Sequence, residues 1–464
     1  MFQKLRKRYV GDRTFYKMTL GIAVPIMIQN GISNFVSMLD NIMVGNVSAE
    51  QMSGVSIVNQ LIFVFNLMIF GAVSGAGIFG AQFYGSGDTK GVRDTFRFKI
   101  ISCGLLTALG ILIFLGFGDV LIRQYLQGEG QIEQIEACFG YAKQYLLIMM
   151  VGFVPFYVCQ CYASTLRETG ETILPMVSGI VAVVVNFCFN LVLIFGLLGF
   201  PALGAAGAAI ATVISRFVEA AIVIIAVHCK KKKYAFIVGA YKSLKVPGSL
   251  VKGILQKGIP LLLNETLWAG GMAVLNQCYS LRGFDVVSAV NISSTISNVF
   301  NVSFIAMGSA IGIIIGQMLG AGKTEEAVDA DRKLIAFSVV SCLAFAAVLF
   351  VLAPVFPLMY KEVGANSHAM ATDFMRIAAC CMPIGAYANA AYFTLRSGGK
   401  TFITILFDSC YVWFLVVPLA YCLSRFTSLP ITPLFFCCQF IEIGKCIIGA
   451  IMIKSGIWIN KIVA

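Results

Sequence analysis

Apolar stretches of about 20 residues recur along the whole of this chain, each long enough to cross a hydrocarbon core of about 30 Å. About twelve can be read as spanning helices, at 17–44, 54–83, 99–118, 138–163, 173–197, 203–228, 254–281, 286–319, 334–357, 370–395, 402–424 and 431–453. The 464 residues are 59% hydrophobic and only 12% charged, with a mean hydropathy of +0.87. Soluble domains carry about a quarter charged residues, so this chain is read as a polytopic, all-α membrane protein in the lipid bilayer. The longest polar connector, 229–253, leaves no room for a soluble domain between spans.

A net charge of +12 could suggest a nucleic-acid partner, but its distribution argues against one. With the N-terminus inside, the inner connectors hold 26 of the 34 Lys and Arg residues and the outer connectors six. That asymmetry is the positive-inside pattern and predicts cytoplasmic termini. The run Lys230–Lys233 then reads as a topology anchor meeting anionic lipid. Of the 15 cysteines most fall inside spans, where they act as small apolar residues. Only two histidines exist, His228 and His368, and no Cys/His spacing suggests a metal site.

The chain repeats itself at an offset near 235. The stretch from Gly77 through Gln82, Gly85, Gly87 and Thr89 aligns with Gly312, Gln317, Gly320, Gly322 and Thr324. Pro25 aligns with Pro260, and a second echo pairs Thr165-Leu166-Arg167 with Thr394-Leu395-Arg396. The expected organisation is a six-span lobe at 1–229, a basic linker at 230–250 and a second six-span lobe at 251–464. An even number of spans per half predicts a pseudo-two-fold axis along the membrane normal, with a cavity between the lobes. Gly320-Ala-Gly322-Lys323-Thr324 is not a nucleotide-binding loop, since Gln317 stands where that motif needs glycine. The glycines are expected to make a tight turn.

Ionisable groups inside lipid are expensive and mark ion pathways. Asp40 lies in the first span, about 35 Å above Lys17 at about 1.5 Å per residue. Asn186 and Asn190 lie about 21 and 27 Å above Thr172, four residues apart and so on one helix face. Thr212 lies about 13 Å below the outer edge. Oxygens from Asp, Asn and Thr suit a Na⁺ ion or a proton relay, with Na⁺ placed at Asp40, Asn186 and Asn190. In the second half Leu275 stands at the position equivalent to Asp40. The buried acids there are Glu265 and Asp408, about 12 and 10 Å from the inner ends of their spans. Two i,i+3 pairs, Arg216 with Glu219 and Glu442 with Lys445, share helix faces and are expected to neutralise each other.

The chain resembles the multidrug and toxic compound extrusion (MATE) family over essentially its full length. The resemblance rests on Pro25 with Met38-Leu39-Asp40-Asn41 through Gly45, Gly80-Ala-Gln82 with Gly85-Ser-Gly87, and Leu166-Arg167-Glu-Thr-Gly170. It rests also on Asn186 and Asn190 before Gly204 to Thr212, and on Pro260 with Asn264-Glu265-Thr266-Leu267. It implies a twelve-helix, two-lobed antiporter expelling amphipathic, often cationic, organic compounds in exchange for H⁺ or Na⁺, with no other cofactor. It implies coupling roles for Asp40, Asn186, Asn190, Thr212 and Glu265. Some Na⁺-coupled members carry an acid in the tenth span, where this chain aligns Gly385. Asp408 is kept as a further cation-coupling candidate on its own burial.

Secondary active export is the leading reading, by a monomer in a bacterial inner membrane, with Phe63, Tyr157, Met272 and Tyr387 expected to line the cavity. The alternative is a lipid-linked precursor flippase or metabolite exporter of the same superfamily, which would want unpaired cations deep in the cavity. A membrane enzyme would need a His, Ser or metal constellation that the sequence does not display.

Overall fold

The computed structural model describes residues 8–45, 47–126, 132–360 and 364–463. Twelve long helices account for most of them: α1 (Arg13–Gly45), α2 (Ala49–Gly85), α3 (Thr89–Tyr125), α4 (Ile132–Glu168), α5 (Ile173–Phe195) and α6 (Ala205–Cys229). They continue with α7 (Gly248–Ser280), α8 (Phe284–Gly320), α9 (Thr324–Leu352), α10 (Ala365–Ser397), α11 (Thr401–Phe426) and α12 (Ile431–Lys454). Ten of them, all but α1 and α10, are long and apolar enough to cross a membrane among the described residues. Lipid offers no hydrogen bonds, so a helix that bonds its own backbone is the economical way across. Along α3 the side chains of Leu105, Leu109, Leu112 and Leu115 are exposed, as a lipid-facing stripe requires. The helices overrun the sequence-read spans, α1 beginning at Arg13 and α2 at Ala49.

Prolines sit inside α1, α4, α7 and α10, at Pro25, Pro155, Pro260 and Pro383. Pro25 and Pro260 thus occupy matching helices in the two sequence repeats. The turns repeat as well. Gly87 and Gly322 have φ of 78° and 75°, and Gly170 and Gly399 have 81° and 71°. Left-handed backbone is what glycine tolerates and other residues resist. The expected tight turn at Gly320–Gly322 is therefore present. After Gly87, Asp88 caps α3 by accepting from the Lys90 and Gly91 amides, both at 3.0 Å. Lys323, its counterpart, makes no side-chain cap.

The chain forms two compact units. One holds the residues of α1 up to Met27, the segment Ala81–Gly87 and Gln256 onward. Its core gathers Leu275, Tyr279, Ala289, Phe374, Met375, Val412 and Phe435, with Met272 packed against it. Phe374 and Phe435 stack at 4.4 Å. Within this unit the ends of α2 and α8 approach through their repeat glycines. A Cβ at Gly85 would overlap the Gln317 carbonyl, and one at Gly320 the Gln82 carbonyl. Gln82 donates to the carbonyls of Ser397 and Asn460 at 3.0 and 3.1 Å and accepts from the Ile462 amide at 2.8 Å. The echoed glutamine thus ties down the C-terminal segment.

The other unit holds Ile28–Gly80 and Asp88–Leu255. Here the basic connector docks beneath α3. Arg97 donates to the carbonyls of Gly239 and Ala240 at 2.7 and 2.8 Å, and Arg93 donates to that of Phe236 at 3.4 Å. Tyr162 and Tyr241 share a hydroxyl hydrogen bond of 2.6 Å, and Lys233 pairs with Glu171.

Candidate functional site

In the second of these units, α5 carries Asn186 and Asn190 one turn apart, 4% and 1% exposed. Asn190 Nδ2 donates to Asn186 Oδ1 at 3.1 Å, and Asn186 Nδ2 donates to Thr212 Oγ1 on α6 at 3.2 Å. Three of the sequence-selected residues therefore form one hydrogen-bonded row. Asp40 lies on α1, but its side chain falls outside the described residues. Beside Thr212 is a cavity of about 40 Å³ lined by Asn66, Phe153, Phe156 and Arg216 among others. Arg216 lies over the Phe156 ring at 5.2 Å and pairs with Glu219 at 3.3 Å, as their spacing suggested.

In the first unit, the two acids singled out from the sequence sit in different hydrogen bonds. Glu265 accepts from the Tyr392 hydroxyl at 3.2 Å. Asp408 accepts from Asn264 Nδ2 at 3.1 Å and pairs with Lys445 Nζ at 2.8 Å. Lys445 reaches Glu442 only at 3.8 Å, so its nearer partner comes from another helix and not from its own. Ser409 donates to the Asn264 carbonyl and side-chain oxygen, both at 2.7 Å, which locks α11 against α7 at this level.

The four residues expected to line a cavity have different surroundings. Phe63 is exposed, Tyr157 and Tyr387 are half-buried, and Met272 packs against the core described above. Among the described residues no group of three or more His, Cys, Asp or Glu is placed to hold a metal.

Sequence reasoning missed two buried polar groups. Lys99, the first residue of the third span read from the sequence, has a fully buried side chain, 2.6 Å from both Glu168 oxygens and in reach of Ser164 and Thr165 at 3.1 and 3.2 Å. Asp331, fully buried on α9, accepts from the Thr394 hydroxyl. Thr165 and Thr394 are partners in the second sequence echo, and that was the available signal. The same repeat position serves an ammonium in one half and a carboxylate in the other.

Ten apolar helices of spanning length among the described residues, with polar side chains paired inside them, define an integral, multi-pass α-helical membrane protein. A family model described as MatE matches residues 25–192 and again 260–422. The chain belongs to this MatE family of membrane transporters, and the two matched segments follow the internal duplication. It is 27% identical over 422 residues to the probable multidrug resistance protein NorM of Pasteurella multocida, covering 88% of this chain and 86% of that protein. It is also 27% identical over 318 residues to a NorM of Thermotoga maritima, covering 68% of this chain and 66% of that one. A solved multidrug resistance MATE family transporter of the MOP superfamily, in an outward-facing conformation, superposes with a TM-score of 0.86 at 18% identity, over 97% of both chains. A MOP superfamily transporter from Pyrococcus furiosus, described as having a binding pocket of reversed polarity, gives 0.84 at 18% identity, over 97% of this chain and 96% of that one.

Proposed function

We propose that this protein is a secondary active antiporter that exports amphipathic, cationic organic compounds in exchange for H⁺ or Na⁺. The buried row Asn190–Asn186–Thr212 carries the reading, because it aligns oxygen acceptors along α5 and α6 in the half of the chain that also contains Asp40. Asp40 supplies the charge that a coupling ion neutralises, and its occupancy biases the packing of α1 and so the inward–outward equilibrium. The relatives named as multidrug resistance proteins support an organic substrate. Glu265, tied to Tyr392, is a second cation-coupling residue. The lobes run 1–229 and 251–464, joined by 230–250, in a bacterial inner membrane with both termini cytoplasmic. The protein works as a monomer. A flippase for anionic precursors is less well supported, because the cations Lys99, Arg216 and Lys445 each lie beside an acid.

Purified protein in liposomes, with H⁺ and Na⁺ gradients imposed separately, tests this. One of the two gradients alone should drive uptake of a fluorescent organic cation. Uptake indifferent to both would refute antiport.

A further inference from the structure

Among the described residues, α11 and α12 are the two long helices that lose regular α geometry along their length. In α11 two consecutive π turns run Leu406–Cys410 and Val412–Val416. In α12 the helix breaks between Phe440 and Ile443. Both irregularities adjoin one cluster. Asp408 lies in the first π turn, Glu442 lies in the break, and Lys445 follows three residues later. The Tyr411 hydroxyl donates to the Ile441 carbonyl at 2.5 Å, fastening one irregular segment to the other. Widened or broken helices inside membranes free backbone and side-chain groups to hold ions, and π-bulges concentrate at functional sites.

The ammonium at the centre is enclosed as a bound cation would be. Lys445 Nζ stands 2.8 Å from Asp408 Oδ1, 3.8 Å from Glu442 Oε1 and 5.7 Å from the Tyr411 ring centroid. Asn264 fixes the second Asp408 oxygen at 3.1 Å. The Lys445 side chain is 5% exposed, whereas those of Asp408 and Glu442 are 20% and 32% exposed. The carboxylates thus face accessible space while the ammonium is sealed behind them. Two carboxylates face one ammonium, which leaves a surplus negative charge.

We propose that Asp408, Glu442 and Tyr411 form a monovalent-cation site whose occupant is the chain's own Lys445 ammonium, so that this cluster takes up no other cation while Lys445 is in place. Asp408 is then a positioning residue for Lys445 and not a ligand for an external cation. The inference is independent of the antiport reading, since it concerns cation occupancy and not transport.

Melting of the purified full-length protein in detergent tests it, with Na⁺ or methylammonium chloride compared against choline chloride at equal ionic strength. Lys445→Ala opens the site and leaves two carboxylates without their cation, so its melting temperature should fall in choline. Na⁺ or methylammonium should restore most of that loss, because a cation that binds only the folded form stabilises it. Lys445→Arg keeps a tethered cation and should show no salt-specific gain beyond wild type. The double variant Asp408→Asn/Lys445→Ala should lose the gain. The proposal is overturned if neither cation stabilises Lys445→Ala beyond the wild-type response, if Lys445→Ala can be recovered in none of the three salts, or if the double variant keeps the full gain.

Discussion

Lys99→Met tests how α3 and α4 are held together. The Lys99 side chain is 0% exposed and that of Glu168 8%, and the ammonium meets Glu168, Ser164 and Thr165 at once. Removing one member of such a pair leaves an uncompensated buried charge, which costs about 3–5 kcal/mol. For a cooperative unit of about 200 residues, an unfolding entropy of about 2 cal/mol/K per residue converts this into a fall of about 7–12 °C. Glu168→Gln should fall by a similar amount, since it strands the ammonium. The double variant Lys99→Met/Glu168→Gln strands neither charge. A buried pair replaced by neutral groups of similar volume is often near neutral, so the double should melt within a few degrees of wild type. Thermal unfolding followed by far-ultraviolet circular dichroism in detergent measures all four proteins. Losses that simply add in the double variant would refute the reasoning, because additivity means that the two charges do not depend on each other.

Asp40→Asn should abolish gradient-driven efflux, Asn190→Ala should weaken it less and Thr212→Ala least, since the only charge is harder to replace than a neutral ligand; efflux rates at matched protein levels check the order. Gly85→Ala and Gly320→Ala each force a methyl onto a facing carbonyl and should lose about 1–3 kcal/mol, whereas Gly116→Ala, with open space around it, should lose nothing; melting temperatures separate them. Burial pushes the Glu171 carboxyl up, but the Lys233 hydrogen bond and charge, with the Leu174 amide and the Tyr234 hydroxyl, bring it below its ordinary value. The docking of the basic connector should therefore be at full strength above the ordinary glutamate range and weaken as pH falls through the lowered value, which limited proteolysis across 230–242 at stepped pH would register.

Spans, turns and the polar face of α5 were legible because each depends on local geometry. A run of about 20 apolar residues has one economical fate in lipid, a glycine echoed at fixed spacing marks a turn that needs left-handed backbone, and Asn186 and Asn190 share a face because helices repeat every 3.6 residues. Partner choice was not legible. Spacing joined Lys445 to Glu442, three residues away, yet the ammonium sits closer to Asp408, 37 residues away, because the π turn in α11 carries that carboxylate to it. Nothing local marks Lys99, at the edge of its span, as buried, yet it lies against Glu168, 69 residues on, because α3 and α4 pack closely there and Gly77 and Gly80 leave the carboxylate its space. The sequence by itself determined which segments cross the membrane and which faces are polar. Only the tertiary structure decided which charges meet, since that depends on how helices distant in sequence pack and where they depart from regular geometry.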